Sequence, residues 1–381
     1  MQADVMSTKR RINYVGWLGY KNLGDEALYK VIQEIFSSYR LVPVEIGDGD
    51  HSIFSPITLI GGSTGIPEWY EWLRPTRYNY VFGAGVKDPV FFGYNYIFRE
   101  QMKVKIMFDK LSIFRYIGVR GNISKALLLK CGIDSEVIGD PCLSLRPTDL
   151  KKKDEARIAI SVGSDGILWG MDEGRLFHEI AKVCRELKRE GYEPILVPFW
   201  EKNVLPVKKL ASEEKIDYFD DWFNIKSTLN LIASSKIFIG QKMHSLVFSA
   251  AAGTPFISLE YQPKCYDFTQ SVGFEKYNVK TDVASEERIM NLCADLLENY
   301  EEMERKLTTN VEKYRRKQKS FALSITQDIE SLPEHFWNVP SIQRRVRNNI
   351  FWKADTVLHG KTKLWYAWNR LFFKHGMRHL T

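Results

Sequence analysis

Short apolar runs alternate with helical patterns in the first part of the chain. Four apolar runs predict buried strands, at residues 12–16, 41–46, 57–60 and 79–82. After the first run, apolar residues at positions 27, 28, 31, 32, 35 and 36 form one face of a helix that begins near Asp25. A strand at 116–119 and helices near 99–113 and 124–131 complete this half. Strands separated by helices are typical of a parallel sheet covered by helices.

The alternation starts again after a polar, charged stretch at 146–156, which predicts a linker. Strands are predicted at 157–162, 194–197, 237–239 and 256–259, and helices at 173–190, 224–234, 242–252 and almost continuously over 286–331. We therefore expect an α/β protein with two doubly wound, Rossmann-like parallel-sheet domains, at residues 1–150 and 151–334. Ligands of such domains bind where the strands end, so the cleft between the domains is the expected site.

The composition indicates folded domains followed by a distinct tail. Of the 381 residues, 44% are hydrophobic, which is enough for sizeable cores and too many for a disordered protein. The net charge of +7 is concentrated in residues 335–381, which hold nine of the 54 basic residues and one of the 47 acidic ones. The first 334 residues therefore carry 45 basic and 46 acidic side chains, a balance that argues against a nucleic-acid-binding protein.

The cysteines and the N-terminus indicate a cytoplasmic protein. None of the five cysteines forms a CxxC pair, so a zinc knuckle or a disulfide framework is not expected and a reducing compartment is favoured. The first residues, MQADVMSTKRR, lack the apolar stretch of a secretory leader. No uncharged apolar run reaches the length of about 18 residues that a membrane span requires.

The strongest candidate site lies at residues 238–245, FIGQKMHS, where a predicted strand ends at Gly240 and a helix starts within two residues. The free N–H groups and the dipole of a helix N-terminus favour an anion at such a place. Lys242 adds a full positive charge, and His244 can move a proton near neutral pH. The alternative is that Lys242 is solvated and that His244 has only a capping role.

Two other strand ends carry polar residues. Tyr261 and Lys264 directly follow the strand at 256–259, where they place a cation at the ligand side of the sheet or form a surface turn with a solvated lysine. Asn22, Gly24 and Asp25 join the first strand to the first helix. Asn22 can hydrogen-bond a sugar or a phosphate, and the glycine lets a ligand approach the backbone. Asp25 is expected to cap the helix rather than to act as a catalyst.

Arg120 and Asp140 lie at comparable positions in the first domain. Arg120 ends the strand at 116–119, and its guanidinium group could clamp an anion with two hydrogen bonds. Asp140 follows at a turn before Pro141. Nearby, Gly83-x-Gly85-x-x-Asp88 lacks the third glycine of a dinucleotide-binding loop, so nicotinamide chemistry is not expected.

Five segments together resemble the polysaccharide pyruvyl transferase family. They occur in the family's order and at similar spacing over about residues 12–275. They are residues 19–26 (GYKNLGDE), Val119-Arg120 with Ser124, Gly139-Asp140-Pro141, Gly240-x-Lys242-x-His244 and Tyr261-x-x-Lys264.

The resemblance implies a fold like that of the GT-B glycosyltransferases. It also implies transfer of the pyruvyl group of phosphoenolpyruvate to a sugar, usually as a cyclic ketal. This chemistry requires no redox cofactor, and the sequence shows no cluster of metal ligands. We accordingly predict that His244 and Lys242 are catalytic. The predicted substrate-binding residues are Arg120, Lys264, Tyr261, Gly240, Asn22, Gly24, Asp25 and Asp140.

Two positions depart from the family's pattern. The family usually has Arg at the position of Lys242 and often has an acidic residue at the position of Gly121. A point charge in place of a planar fork can change the grip on the donor. Two other functions stay open. One is a GT-B glycosyltransferase that uses a nucleotide sugar, and the other is a non-catalytic carbohydrate-binding protein with a decayed site.

The tail interleaves aromatic and basic residues, and residues 364–374, LWYAWNRLFFK, predict an amphipathic helix. This composition is typical of a helix that lies on a membrane surface with anionic lipids. A peripheral position on the inner face of the cell membrane would bring the enzyme to a lipid-linked sugar acceptor. Alternatively, the aromatic residues pack on the body of the protein or on a second subunit, and the sequence leaves the oligomeric state open.

The membrane interpretation of the tail is tested by deleting residues 335–381. We expect the truncated protein to move from the membrane fraction to the soluble fraction, because each basic residue near an anionic surface contributes about 1 kcal/mol of binding. High salt should release the full-length protein by screening the same attraction. An insoluble truncated protein, or one inactive on both a short soluble acceptor and a lipid-linked one, would show that the tail is part of the fold.

Overall fold

The computed structural model describes residues 9–43, 57–62, 66, 78–88, 90–91, 114–149, 153–163, 166–334 and 337. The first half of the described chain forms six strands and two α-helices. The strands are β1 (Arg11–Val15), β2 (Arg40–Pro43), β3 (Ile57–Gly61), β4 (Tyr78–Ala84), β5 (Phe114–Val119) and β6 (Glu136–Val137). The helices are α1 (Leu23–Ile35) and α2 (Asn122–Lys130), and a 3₁₀ turn at Pro141–Ser144 follows β6.

The second half forms another six strands and seven helices. The strands are β7 (Asp154–Ser161), β8 (Glu193–Leu196), β9 (Asp217–Tyr218), β10 (Ser235–Gly240), β11 (Phe256–Glu260) and β12 (Asn278–Lys280). The helices are α3 (Glu173–Arg189), α4 (Glu201–Glu214), α5 (Ile225–Ala233), α6 (Met243–Ala252), α7 (Pro263–Val272), α8 (Glu286–Glu298) and α9 (Tyr300–Glu330). A 3₁₀ turn at Glu275–Tyr277 precedes β12.

The strands form two six-stranded sheets in which every pairing is parallel. The first sheet has the order β2-β1-β3-β4-β5-β6, and the second has the order β12-β11-β10-β7-β8-β9. The second order is that of a Rossmann domain, and the first five strands of the first sheet follow the flavodoxin-like order. Strand order reverses next to β1 and next to β10, so ligands are expected beside the carboxyl ends of these two strands.

The prediction of two doubly wound parallel sheets is confirmed. The described residues up to Ser331 form one compact unit that contains both sheets. The domain boundaries at 150 and 334 stay predictions. The helix expected near 99–113 lies outside the described residues, as does the tail except Trp337.

Two helices at the site were not predicted. Helix α4 contains Pro206, which weakens its helical signal. Helix α7 begins at Pro263, so Lys264 belongs to a helix rather than to a surface turn. Proline at the first position of a helix is favourable because its missing N–H has no partner there in any case.

The last helix of the second half returns to the first sheet. Helix α9 has 31 residues and follows α8 after a break at Asn299, so the predicted helical stretch at 286–331 is confirmed apart from that break. Phe321 packs on Phe82, with 6.2 Å between ring centroids. Asp328 accepts a hydrogen bond of 2.6 Å from the Tyr80 hydroxyl group. The helix therefore ties the two sheets together.

Helix α9 also holds the segment that contains Asp140. The Gln318 side chain donates from Nε2 to the Asp140 carbonyl oxygen at 2.7 Å, and its Oε1 accepts from the Ser144 hydroxyl group at 2.7 Å. Arg315 donates to the carbonyl oxygens of Leu143 and Leu145, at 2.6 and 2.7 Å. These bonds fix the backbone on both sides of Pro141. Within the part of the chain that the structure describes, no helix is long and apolar enough to cross a membrane.

Gln318→Leu tests this attachment. The change removes one of the two donors to the buried Asp140 carbonyl oxygen, which keeps only the Leu143 N–H, and it removes the acceptor of the Ser144 hydroxyl group. We therefore expect the free energy of unfolding to fall by about 1–3 kcal/mol. Gln327→Leu is the matched control, because Gln327 lies exposed on the same helix and should change stability by no more than about 0.5 kcal/mol. Denaturant titration of both variants measures the difference, and equal effects would contradict the account.

Candidate functional site

Lys242 and His244 begin a helix that is almost entirely buried. Lys242 is the N-cap residue of α6, and its carbonyl oxygen accepts hydrogen bonds from the backbone N–H and the hydroxyl group of Ser245, at 2.9 and 2.6 Å. A side chain on Gly240 would collide with Phe238 and Ser245, so glycine permits the tight passage from β10 to α6. Lys242 as a whole residue is 7% exposed and His244 is 8% exposed. The alternative of a solvated lysine is therefore wrong.

Arg120 and Asp140 are brought to His244 from the first sheet. Both are fully buried, and Arg120 Nη1 and His244 Nε2 each lie 3.8 Å from the same oxygen, Oδ2 of Asp140. The other carboxylate oxygen of Asp140 accepts a hydrogen bond of 2.9 Å from the Cys142 N–H. Gly85 packs directly on the guanidinium group, where a Cβ atom would lie 2.2 Å from Arg120 Nη2.

The two predicted lysines share an aromatic neighbour. Lys242 Nζ lies 5.4 Å and Lys264 Nζ 4.7 Å from the ring centroid of Tyr261. Lys242 Nζ also lies 4.7 Å from the ring of Trp200. An aromatic face attracts an ammonium group electrostatically, most strongly when water is excluded. These rings help to hold the cations of the site away from bulk water.

The loop before α1 closes the site from the other side. The Leu23 N–H donates to the Phe199 carbonyl oxygen at 3.0 Å, and Trp200 Nε1 donates to the Tyr20 carbonyl oxygen at 2.9 Å. These bonds join the first strand-to-helix loop to the segment that leads into α4. Gly24 then meets His244, because a Cβ atom on Gly24 would lie 2.2 Å from Cγ and Nδ1 of the imidazole.

The expected cap of α1 is corrected by the structure. The cap is Asn22, whose side-chain oxygen accepts from the Gly24 N–H at 3.2 Å, and not Asp25. The residue just before the helix can reach the free N–H groups of the first turn with its side-chain oxygen, and that residue is Asn22. Asp25 is the third residue of the helix and is buried in the first turn. Asp25 therefore lies inside the site region, next to Tyr14 and Cys142, whose phenol and thiol its charge affects.

Asp267 is a residue that the sequence did not indicate. It lies on α7, and its carboxylate accepts hydrogen bonds from the Ile123 N–H at 2.9 Å and from the Ser124 hydroxyl group at 2.6 Å. It thus caps α2 from the other sheet, since the N-cap residue Gly121 has no side chain. A Cβ atom on Gly121 would lie 2.0 Å from Asp267 Oδ1. The family that this sequence resembles often has an acidic residue at position 121. In this chain position 121 is glycine, and the carboxylate of Asp267 lies beside it instead.

The electrostatics favour a neutral imidazole in the ligand-free protein. Burial lowers the pKa of His244 well below its ordinary value of 6.5, and the charges of Arg120, Lys264 and Lys242 lower it further. Burial raises the pKa of Asp140 to about 6, although Arg120 and the Cys142 N–H act in the opposite direction. At neutral pH, three cations and the Asp140 carboxylate therefore surround an uncharged His244.

The structure brings the predicted residues together at one place. Arg120, Asp140, Lys242, His244, Lys264 and Tyr261 are linked by the contacts above, and Gly24 with its cap Asn22 borders the imidazole. The described residues include no group of three or more His, Cys, Asp or Glu side chains that could hold a metal ion. That the reaction needs no metal or cofactor stays a prediction.

Comparison with known proteins gives a family and a fold. The model of the polysaccharide pyruvyl transferase family matches residues 22–263, which is more than half of the chain. No curated protein sequence matches the chain.

Two solved structures show a similar fold. A protein described as a UDP-N-acetylglucosamine 2-epimerase from Listeria monocytogenes is 13% identical, with a TM-score of 0.53 over 86% of this chain and 98% of the other. A glycosyltransferase from Rickettsia africae is 13% identical, with a TM-score of 0.51 over 86% of this chain and 100% of the other. The predicted GT-B-like architecture is thereby confirmed, and identities this low show the fold alone.

The state of His244 can be measured directly. We expect the His244 imidazole of the ligand-free protein to stay neutral at pH 6, where an unperturbed histidine is mostly protonated. Because the pKa is lowered in the folded protein, protons bind the unfolded chain preferentially, and His244 makes the stability fall as the pH drops below 6.5. Histidine ¹⁵N NMR between pH 5 and 8, assigned with His244→Gln, tests this. A His244 titration midpoint at or above 6.5 would contradict it.

Proposed function

Because the chain belongs to the polysaccharide pyruvyl transferase family, we propose that it moves the pyruvyl group of phosphoenolpyruvate onto a sugar. The acceptor is a surface polysaccharide or its lipid-linked precursor. The product is a cyclic ketal, and inorganic phosphate is released. Phosphoenolpyruvate is the donor substrate, and the proposal includes no further cofactor.

The observation that carries this proposal is the group of three cations around His244. Phosphoenolpyruvate presents a phosphate and a carboxylate, and such a ligand needs several positive charges at short range. Lys242, Lys264 and Arg120 all act electrostatically on His244, and the N-terminus of α6 adds its own N–H groups. Fixed cations in a place with little water stabilise a departing phosphate more effectively than solvated ones.

The buried histidine suits the proton transfer that the chemistry needs. Forming the ketal requires a proton on the methylene carbon of the donor, attack of two sugar hydroxyl groups on the neighbouring carbon, and departure of phosphate. His244 is the proposed acid. Its pKa is lowered by burial and by the three cations, and the negative charges of a bound donor would offset those cations. Donor binding therefore prepares the imidazole to carry a proton.

Lys242 stands where the family usually has arginine, and its surroundings support a replacement that keeps the positive charge. Lys242 keeps a buried positive charge beside Trp200 and Tyr261. The charge that a leaving phosphate needs is therefore preserved, although the planar fork is absent. This argues for a working catalyst over a decayed carbohydrate-binding site.

The proposed reaction is tested by incubating the protein with phosphoenolpyruvate and candidate sugar acceptors. Release of phosphate that depends on the acceptor supports the proposal. Release of a nucleotide from a nucleotide sugar would instead support a GT-B glycosyltransferase. If no donor is consumed with any acceptor, the protein is a binding module. The acceptors should include lipid-linked sugars, because the tail at residues 335–381 is proposed to contact a membrane.

Substitutions of Lys242 test the donor site more closely. Lys242→Met should raise the KM for phosphoenolpyruvate about 10- to 100-fold, the range for a charged hydrogen bond of about 1.5–3 kcal/mol. Lys242→Arg should retain activity, since the charge remains. Lys202→Met is the matched control, because Lys202 Nζ also lies over the Trp200 ring, at 3.6 Å, but is exposed. A donor KM that is equal in the two methionine variants would remove Lys242 from the donor site.

A further inference from the structure

Two buried polar atoms of the site face each other. They are Oδ2 of Asp140 and Nε2 of His244, which lie 3.8 Å apart. Neither atom has a hydrogen-bond partner among the residues that the structure describes. Asp140 is fully buried and His244 is 8% exposed. Arg120 Nη1 lies at ion-pair distance from the same oxygen, 3.8 Å away, which is too long for a hydrogen bond. Buried polar atoms are usually hydrogen-bonded, so two facing atoms that lack a hydrogen bond indicate a group or a proton that joins them during function.

Hydrogen bonds to Asp140 restrict the position of its carboxylate beside His244. Its Oδ1 is held by the Cys142 N–H at 2.9 Å, and its carbonyl oxygen is held by Gln318 at 2.7 Å. The preceding residue, Gly139, has a φ of +81° and packs on Tyr314, so the backbone turns sharply just before the carboxylate. Oδ2 then lies between the imidazole and the Arg120 guanidinium group, 3.8 Å from His244 Nε2 and from Arg120 Nη1. Gly24 borders the ring on its Nδ1 edge.

We propose that Asp140 is a positioning residue for His244, and that the two side chains hold one proton between them when the anionic donor is bound. Binding of the donor is then coupled to uptake of a proton. The inference rests on the proposed function for the identity of the donor. A separation of 3.8 Å is longer than a hydrogen bond, and such contacts commonly tighten when the substrate binds. A carboxylate beside the imidazole keeps the ring oriented and stabilises its charged form.

The charges around the pair explain why binding of the donor would cause the pair to take up a proton. In the ligand-free protein, burial and three cations keep His244 uncharged, while Asp140, with a pKa of about 6, is mostly ionised at pH 7. A bound phosphate and carboxylate offset the cations, so both groups gain affinity for a proton. The charged and titratable neighbours come from both sheets. Arg120, Lys242 and Lys264 act on His244, and Arg120 also acts on Asp140. The Asp140 charge acts in turn on Cys142 and Tyr14, on which Asp25 also acts.

The Asp140–His244 pair gives up one proton and regains one proton in each reaction cycle. His244 gives its proton to the methylene carbon, and the electrons of the carbon–carbon double bond form the new C–H bond. The first sugar hydroxyl group attacks the adjacent carbon and returns its proton to the pair. The carbon–oxygen bond to phosphate then breaks, its electrons leave with phosphate, and the second hydroxyl group attacks. Its proton leaves on phosphate, so the pair ends the cycle as it began.

Calorimetry of phosphoenolpyruvate binding at pH 7, in buffers with different ionisation enthalpies, measures the proton uptake. We expect the wild-type protein to take up close to one proton per donor bound, and Asp140→Asn to take up much less. The variant should bind the donor at least as tightly, because a negative charge is removed, while its kcat falls about 10²-fold or more. A purely structural role would weaken donor binding as well.

Asp267→Asn is the matched control. Asp267 is also a buried carboxylate that Arg120 affects, but its oxygens are occupied by Ile123 and Ser124. Its proton uptake should equal that of the wild type. Should Asp140→Asn fail to fold, ¹⁵N NMR of wild-type His244 decides the matter, since its ring should become protonated at pH 7 when phosphoenolpyruvate is added.

The outcomes separate the inference from the proposed function. If the wild type releases phosphate from phosphoenolpyruvate but binds it without proton uptake, or if Asp140→Asn keeps the uptake, the inference is wrong and the function stands. If the wild type binds neither phosphoenolpyruvate nor inorganic phosphate, the proposed function fails. The inference then fails with it, because no anion reaches the pair.

Discussion

The contact between His244 and the backbone of Gly24 is the constraint on which the site depends. It brings the first turns of two helices, one from each sheet, within van der Waals distance. Any side chain at position 24 would separate them and move the imidazole away from Asp140. The hydrogen bonds from Leu23 and Trp200 hold the same approach on either side. The two switch points of the sheets can therefore share one ligand.

Burial of like charges is the energetic consequence of this approach. Arg120 and Lys242 are both buried, and removing such charges from water is unfavourable unless partners are present. Asp140 and the rings of Trp200 and Tyr261 offset part of this penalty. A bound anion would offset more of it. Sites that bind charged ligands commonly contain buried charges that are unfavourable for folding and are retained because they serve binding.

The sequence predicted the parts of the site that are local in the chain. A glycine that ends a strand, followed by Lys242 and His244 at the start of a helix, is visible over a few residues, as is Arg120 at the end of β5. The partners that come from distant segments were not predictable. Gln318 lies 178 residues from Asp140, and Asp267 lies 143 residues from Ser124. Their pairing follows from the return of α9 and from the packing of α7, which local patterns do not encode.

Whether this protein builds a ketal from phosphoenolpyruvate can be read from the mass of the acceptor after the reaction. The reaction is run in D₂O with phosphoenolpyruvate and a candidate sugar acceptor, and the product is examined by mass spectrometry. The expected product is an acceptor that carries a pyruvyl ketal with a single deuterium in its methyl group, because one solvent-derived hydrogen is delivered to the methylene carbon. Transfer of a glycosyl group from a nucleotide sugar, with the acceptor unchanged by phosphoenolpyruvate, would contradict it.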